Sequence, residues 1–145
     1  MPILDEQLRL RDGGSAPRVT ATEAGLGSTT RDATTGQAVI DISKTGYAGV
    51  PIFVVTDLDT GTSTDKTVVC TIEACDSAAF GSGVETVATF PVVTHGDAGI
   101  AMVRRIHTQK KYIRSVLTLA GSNGTFSVDF KIFVGTGLMA DLLWA

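Results

Sequence analysis

The sequence predicts an all-β fold, a single-domain antiparallel β-sandwich of about eight or nine strands. Three observations lead to this prediction. Threonine and valine, which suit the pleated surface of a sheet, are abundant, whereas Lys, Gln and Glu, which favour helices, are sparse. The 16 glycines are scattered along the chain, as turn and bulge positions are in β proteins. Turn signals recur at intervals of about ten residues, and no segment has the periodicity of a three-turn amphipathic helix.

Length and composition exclude several classes of protein. The 145 residues fit one domain over 1–145, and a chain of this length buries about two-thirds of its unfolded surface. Hydrophobic residues make up 43%, charged residues 19%, and the net charge is -3, which excludes a disordered chain and a basic nucleic-acid binder. No apolar run reaches the roughly 20 residues of a membrane-spanning helix. The segment 1–6 lacks the basic and then apolar pattern of a signal peptide. We expect no nucleic-acid partner and no membrane partner.

The first half of the chain predicts four strands. Residues 1–10 alternate well enough to form a short strand or an N-terminal arm. Residues 15–36 are rich in Ser, Thr, Gly and Asp, and they predict an edge strand with a long loop. Residues 38–42 and 50–56 predict one strand each. Pro51 fits an edge strand or a first strand position, because proline cannot donate to the ladder.

The second half predicts five more strands, at residues 67–75, 84–93, 100–106, 112–119 and 126–133. In 84–93, Val87 is expected on one face, with Ala88, Phe90 and Val92 on the other. In the last strand, one face is expected to carry Phe126, Val128, Phe130 and Ile132. Between the last two strands, Asn123-Gly124 predicts a hairpin, because both residues tolerate positive φ. Short strands separated by turn signals about every ten residues favour a β-sandwich, and within that class a jelly roll, over a parallel α/β sheet.

The two cysteines are predicted to be small buried residues rather than ligands or nucleophiles. Cys70 and Cys75 lie on one predicted strand at an odd spacing, so their side chains point to opposite faces. At about 3.3 Å per residue they are roughly 16 Å apart, which forbids a disulfide between them. Two reduced thiols are typical of a protein matured in a reducing cytoplasm.

Motifs for catalysis or metal binding are lacking. The sequence has no phosphate-binding loop, no nucleophile elbow and no His-Glu-x-x-His pair. His95 and His107 lie beside predicted loops, where surface imidazoles are the better interpretation. The acidic segment 57–65 resembles an EF-hand calcium loop in its clustered carboxylates. However, Gly61 is one position too early for the required glycine, and Val68 occupies the position of the bidentate Glu. We expect a solvated loop there, no metal, no cofactor and no enzymatic activity.

Positive charge is concentrated in one basic segment, 104–114, which contains Arg104, Arg105, His107, Lys110, Lys111 and Arg114. It is either a solvated rim or a docking surface for an acidic partner. Nucleic acid is disfavoured, because Tyr112 is the one aromatic residue interleaved with these charges.

An apolar tail closes the sequence at 137–145, where ordinary chains become polar and frayed. Its large apolar side chains are Leu138, Met139, Leu142, Leu143 and Trp144. The tail either packs on its own domain or anchors on a neighbouring chain, since Trp and Met are enriched at interface cores.

Several segments together resemble a family of phage head proteins. They are Ile3-Leu-Asp-Glu-Gln-Leu8, Gly49-Val-Pro-Ile-Phe-Val-Val55, Ala74-Cys-Asp-Ser-Ala-Ala-Phe80, the stretch 99–106, and Lys111-Tyr-Ile-Arg114. In this order they resemble the capsid cement, or decoration, proteins of tailed bacteriophages of the short-tailed Bordetella phage type. In that family an aspartate-rich turn with Ala-Phe follows a central strand, and an Arg/Lys-Tyr-Leu/Ile-Arg motif opens a late strand.

The resemblance implies a jelly-roll sandwich that binds the outside of the expanded capsid and clamps neighbouring coat subunits without catalysis. Its partners would be the major capsid protein and a second copy of itself, a homodimer being favoured over a trimer. It would be assembled in the bacterial cytoplasm and would end on the virion exterior.

Two regions are expected to contact neighbouring chains under this interpretation. The first is formed by the two ends, with Ile3, Leu4, Leu8, Leu138, Met139, Leu142, Leu143 and Trp144. The second is the basic segment, whose Arg104, Arg105, Lys110 and Lys111 would meet acidic coat loops.

Two other classes of function stay open. A carbohydrate- or receptor-binding module of a phage fibre or cell surface would need an exposed aromatic platform, and a cupin-like metal enzyme would need histidines closer together than His95 and His107.

Overall fold

The protein is described by a computed structural model at residues 9–11, 22–24, 39–42, 49–57, 61–62, 64–94 and 99–135. These residues contain no helix and ten strands. The strands are β1 (Arg9–Arg11), β2 (Glu23–Ala24), β3 (Ile40–Asp41), β4 (Val50–Thr56), β5 (Thr67–Cys75), β6 (Glu85–Thr89), β7 (Val93–Thr94), β8 (Ala101–Ile106), β9 (Tyr112–Ala120) and β10 (Phe130–Val134).

The strands form two antiparallel sheets with the main core between them, which confirms the predicted all-β sandwich. The first sheet has the order β1-β10-β4-β8. The second has the order β2-β9-β5-β6, with β3 also paired to β9 and β7 to β5. One buried cluster takes side chains from both sheets, among them Ile52 and Ile132 from the first and Ile72 and Leu117 from the second. The jelly-roll topology stays a prediction.

Strands β4 and β5 have the predicted bounds. β4 is buried on both faces along most of its length, whereas β5 alternates between buried and partly exposed residues. On β5 the alternate residues Val68, Cys70, Ile72 and Ala74 face the core. Cys75 belongs instead to a second small cluster with Val39 and Phe80. Both thiols are buried and reduced, as predicted. The opposite-face prediction for the cysteines is confirmed.

The predicted strand 84–93 is wrong in one respect, because it is divided into β6 and β7. Pro91 has no N–H to give to a ladder, and the chain leaves the sheet around it. Phe90 is therefore buried in the core, whereas Val92, predicted on the same face, is 50% exposed. A β-bulge at Val87 shifts the register against β5, so Val87 and Ala88 both pack on the core.

The hairpin predicted at Asn123-Gly124 is also wrong. Strands β9 and β10 belong to different sheets, so the connection crosses the sandwich. Gly124 has a positive φ of 71°, but Asn123 does not. Instead, the backbone N–H groups of Ser122 and Asn123 donate to the carboxylate of Asp65, at 3.2 and 3.0 Å. That carboxylate belongs to the loop that carries the chain from β4 to β5.

Pro51 lies in an internal strand, so the edge position considered for it is wrong. Its carbonyl accepts the N–H of Gly135 at 2.9 Å, just beyond the last residue pair of β4 and β10. The missing proline N–H therefore falls where that ladder ends, and no interior hydrogen bond is lost.

The predicted face of 126–133 is confirmed, since Phe126, Val128, Phe130 and Ile132 are all buried in the main core. The predicted strand start is wrong, because β10 begins only at Phe130. Phe133 points to the other face of the sheet and stacks on Phe53, with ring centroids 5.2 Å apart. Gly135 leaves room for this pair, because a Cβ there would lie 2.2 Å from the Phe53 ring.

Candidate partner interface

Strand β8 is an edge of the first sheet, and it carries the two arginines of the basic segment. It pairs with β4 from Ala101 to Ile106 without a register shift. Arg104 lies opposite Ile52, on the face that borders the core, and Arg105 lies opposite Pro51, on the outer face. Both arginine side chains are exposed because β8 is the outermost strand. The two cations therefore flank the strand on opposite sides.

An open groove of about 320 Å³ runs beside β8. It is lined by Phe90, Pro91, Met102, Val103 and Arg104. The groove lies where β8 and β6, the outermost strands on one side of the sandwich, approach each other. Pro91, where the predicted strand is broken, is thus also one of the residues that line the groove.

The two lysines of the basic segment lie on the turn into β9, and each pairs with a carboxylate of its own chain. Lys110 Nζ is 3.0 Å from Asp76, and Lys111 Nζ is 3.6 Å from Asp41. The hydrogen bond from Lys110 to Asp76 raises the pKa of Lys110 above its ordinary value. These pairs fix both lysines to acids from distant segments of the chain. The sequence does not show these pairs, because Asp41 belongs to β3 and Asp76 follows β5.

The turn between β8 and β9 is held by contacts with residues that are distant in the sequence. Thr108 is buried, and its hydroxyl donates to Glu85 at 2.6 Å and accepts the N–H of Lys110 at 3.0 Å. Gly49, with a φ of +73°, lies so close to the ring of His107 that a Cβ would be 2.6 Å from its Nε2. The turn is thereby fastened to β6 and to the start of β4, which positions the end of β8.

A second structured element follows β5 and contains Phe80. The Ser77 carbonyl accepts the Phe80 N–H at 3.1 Å, and Phe80 adopts a positive φ of 52°. The ring of Phe80 is buried and is covered by the guanidinium of Arg114, whose carbon is 4.4 Å from the ring centroid. Arg114 Nη2 also lies 2.7 Å from Glu73. No local pattern in the sequence indicates that Arg114 will cover this segment.

The terminal interface residues lie outside the described residues, so their positions are not assigned. They are Ile3, Leu4, Leu8, Leu138, Met139, Leu142, Leu143 and Trp144. His95 also lies outside, whereas His107 is exposed. Within the described ranges, no three His, Cys, Asp or Glu side chains converge as metal ligands. The same residues contain no helix of the length and apolarity that crossing a membrane requires.

Comparison with known proteins does not assign a family. No protein-family model matches the sequence, and no curated protein matches it significantly.

Proposed function

We propose that this protein is a capsid cement protein, a structural virion component that binds the outer surface of an expanded phage head and clamps neighbouring major capsid subunits. It acts without catalysis and works as a homo-oligomer, a dimer being favoured over a trimer. It is assembled in the bacterial cytoplasm and ends on the virion exterior. A jelly-roll form of the sandwich is part of the proposal.

One observation carries the proposal. Two of the segments through which the sequence resembles cement proteins, Ala74–Phe80 and Lys111–Arg114, pack against each other. Arg114 covers Phe80, and Tyr112 packs on the small cluster that contains Cys75 and Phe80. The segments are far apart in the sequence, yet they form one structural unit at the end of the second sheet. A resemblance spread over short motifs is strengthened when those motifs depend on one another.

The distribution of aromatic residues favours a cement role over a sugar-binding role. Carbohydrate- and receptor-binding modules present exposed aromatic rings to their ligands. Every phenylalanine in the described residues is buried, and Tyr112 is only partly exposed. The described surface instead offers an exposed sheet edge flanked by arginines, which suits an acidic protein surface.

The proposed clamp does not require tight binding at each site. Symmetric shells present the same site many times, and a protein that bridges several coat chains gains from multivalent attachment. Modest contacts at each β8 edge and at each chain end therefore combine into a large effect on the shell.

Co-sedimentation with phage heads tests the proposal. Heads from a phage that lacks this protein are prepared in expanded and unexpanded forms and are mixed with purified protein. Saturable binding to expanded heads alone is expected, and the copy number per head identifies the symmetry axis occupied. Absence of binding to both forms contradicts the proposal, and a glycan screen then tests the receptor-binding alternative.

Charge reversal tests the part played by β8. The double variant Arg104→Glu, Arg105→Glu is expected to weaken co-sedimentation most at low ionic strength, where screening is least. Lys66→Glu serves as a control on a region of the second sheet away from β8. Equal binding of all three proteins at every salt concentration would remove β8 from the interface.

A further inference from the structure

Among the four sheet edges in the described residues, β8 is the one that is both long and regular. The edge strand β2 has two residues, and β1 has three with a register shift. The edge strand β6 has five residues and carries the bulge at Val87. β8 has six residues, no proline and no register shift. Short length, bulges and prolines protect sheet edges from pairing, and β8 has none of these three. Its one protective feature is the charge of Arg104 and Arg105, which opposes pairing with a cationic strand.

The hydrogen bonds of β4 show which backbone groups of β8 point outward. The N–H of Thr56 donates to the carbonyl of Ile100 at 2.9 Å, so this opposed pair is a hydrogen-bonded one. Hydrogen-bonded and non-hydrogen-bonded pairs alternate along an antiparallel ladder. Met102 and Arg104 therefore direct their backbone groups to β4, whereas Ala101 and Val103 direct theirs away from it. In the part of the chain that the structure describes, no strand pairs with β8 on that side.

The side chains around this edge specify the chemistry of an added strand. A strand laid beside β8 would place its side chains next to those of β8 on both faces. On the core-bordering face it would meet Met102, Arg104 and the apolar groove lined by Phe90 and Pro91. On the outer face it would meet Val103 and the cationic Arg105. Acidic side chains complement Arg104, and aliphatic ones complement Met102, Val103 and the groove.

A second copy of this chain does not suit the β8 edge, because its own β8 carries the same positive charge. Antiparallel pairing of two β8 strands about a two-fold axis would bring four arginines into one strand pair. Like charges on neighbouring strands are destabilising. The complementary occupant is a segment of opposite charge.

We infer that the β8 edge is the docking site for an extended segment of a partner protein that carries both acidic and aliphatic residues, and that this segment adds a fifth strand to the first sheet. Backbone groups of Ala101 and Val103 provide the hydrogen bonds, and Arg104 and the groove select the side chains. Only the identity of the partner as a coat protein rests on the proposed function.

A peptide titration tests the inference without phage material. The probes are a labelled eight-residue peptide of alternating valine and glutamate and its counterpart with lysine in place of glutamate. Fluorescence anisotropy is expected to detect binding of the glutamate peptide only. Amide hydrogen exchange is expected to slow at Ala101 and Val103 when that peptide is bound. Equal binding of both peptides, no binding of either, or protection elsewhere would overturn the inference.

A proline substitution separates strand addition from simple charge attraction. Val103→Pro removes an outward N–H and none of the hydrogen bonds to β4, and it is expected to weaken peptide binding by about tenfold or more. Val103→Ala keeps the N–H and is the matched control, with a change of about threefold or less. Unchanged binding by a folded Val103→Pro protein refutes strand addition. If circular dichroism shows that this variant is unfolded, Arg104→Glu is the deciding variant. It is expected to shift the binding preference from the glutamate peptide towards the lysine peptide. An unchanged preference refutes the inference.

The two proposals fail separately. If wild-type protein binds expanded heads but does not bind the glutamate peptide, the cement function stands and the β8 docking site is wrong. If the glutamate peptide binds at β8 while expanded heads are ignored, the docking site stands and the cement function is wrong.

Discussion

The guanidinium of Arg114 lies 4.4 Å from the centre of the Phe80 ring, and Phe80 itself adopts a backbone conformation that phenylalanine rarely takes. A positive φ in a bulky residue persists only when the surroundings hold it in place. Here the ring is buried against Val39 and Cys75 on one side and is covered by Arg114 on the other. The connection after β5 is thus ordered by a residue of β9.

Arg114→Ala is expected to lower the free energy of unfolding by about 2–4 kcal/mol, because it leaves the mostly buried carboxylate of Glu73 without its cation and uncovers Phe80. The side chains of Arg114 and Glu73 are only 15% and 20% exposed. Arg114→Lys restores the charge but not the planar group, and it should recover about half of the loss. Urea denaturation measures both. A Lys variant as stable as the wild type would show that the planar stacking contributes nothing.

Gly135→Ala is expected to destabilise the protein by about 1–3 kcal/mol, because the new methyl group overlaps the Phe53 ring and forces the stacked pair apart. The distance from the added Cβ to Phe53 is 2.2 Å. Gly81→Ala is the control, since a Cβ there meets nothing within 4 Å. Thermal unfolding of the two variants separates the effects. Equal melting temperatures would mean that Phe53 moves aside without cost.

Phe90→Ala and Val92→Ala test the break at Pro91. Phe90 is 2% exposed and Val92 is 50% exposed. The first substitution is expected to cost about 3–5 kcal/mol through lost burial and a cavity, and the second less than about 0.5 kcal/mol. Chemical denaturation of the pair is the measurement. Similar losses would indicate that both side chains share the core, as a continuous strand would have required.

The hydrogen bonds from Ser122 and Asn123 to Asp65 are expected to make the stability of the folded state sensitive to acid. Hydrogen bonds from the backbone N–H groups of Asn123 and Ser122 hold the pKa of Asp65 below its ordinary value. The ionised carboxylate therefore stabilises the folded state above the ordinary aspartate pKa of about 4, and this contribution is lost as the pH falls through the lower folded pKa. Melting temperatures of wild type and Asp65→Asn should differ at neutral pH and converge in acid. A difference independent of pH would contradict the charge-based role.

The sequence predicts the core well where a strand is regular. Strands β4 and β5 match the predicted bounds, and the predicted core face of β10 is buried, because a two-residue period determines which side chains point inward. The same local information identified β8 and its two arginines, and it placed Cys70 and Cys75 on opposite faces.

The candidate interface was only partly predictable. The concentration of cations at 104–114 is a property of the sequence, but their neutralisation is not. Asp76 and Asp41 reach Lys110 and Lys111 only because β3, β5 and β9 share one sheet. The groove beside β8 was missed because it lies where β6 and β8 approach each other.

The sequence by itself determined the class of fold, the bounds of β4 and β5, and the core-facing residues of the regular strands, since each depends on neighbours within a few positions. Tertiary structure alone decided which strands became edges, that β9 and β10 lie in different sheets, and that Asp65 binds the segment after β9. These features depend on strand pairings between distant segments, whose free energies come from packing that no local pattern records. For this protein, the edge position of β8 leaves Arg104 exposed and directs the backbone groups of Val103 away from the first sheet.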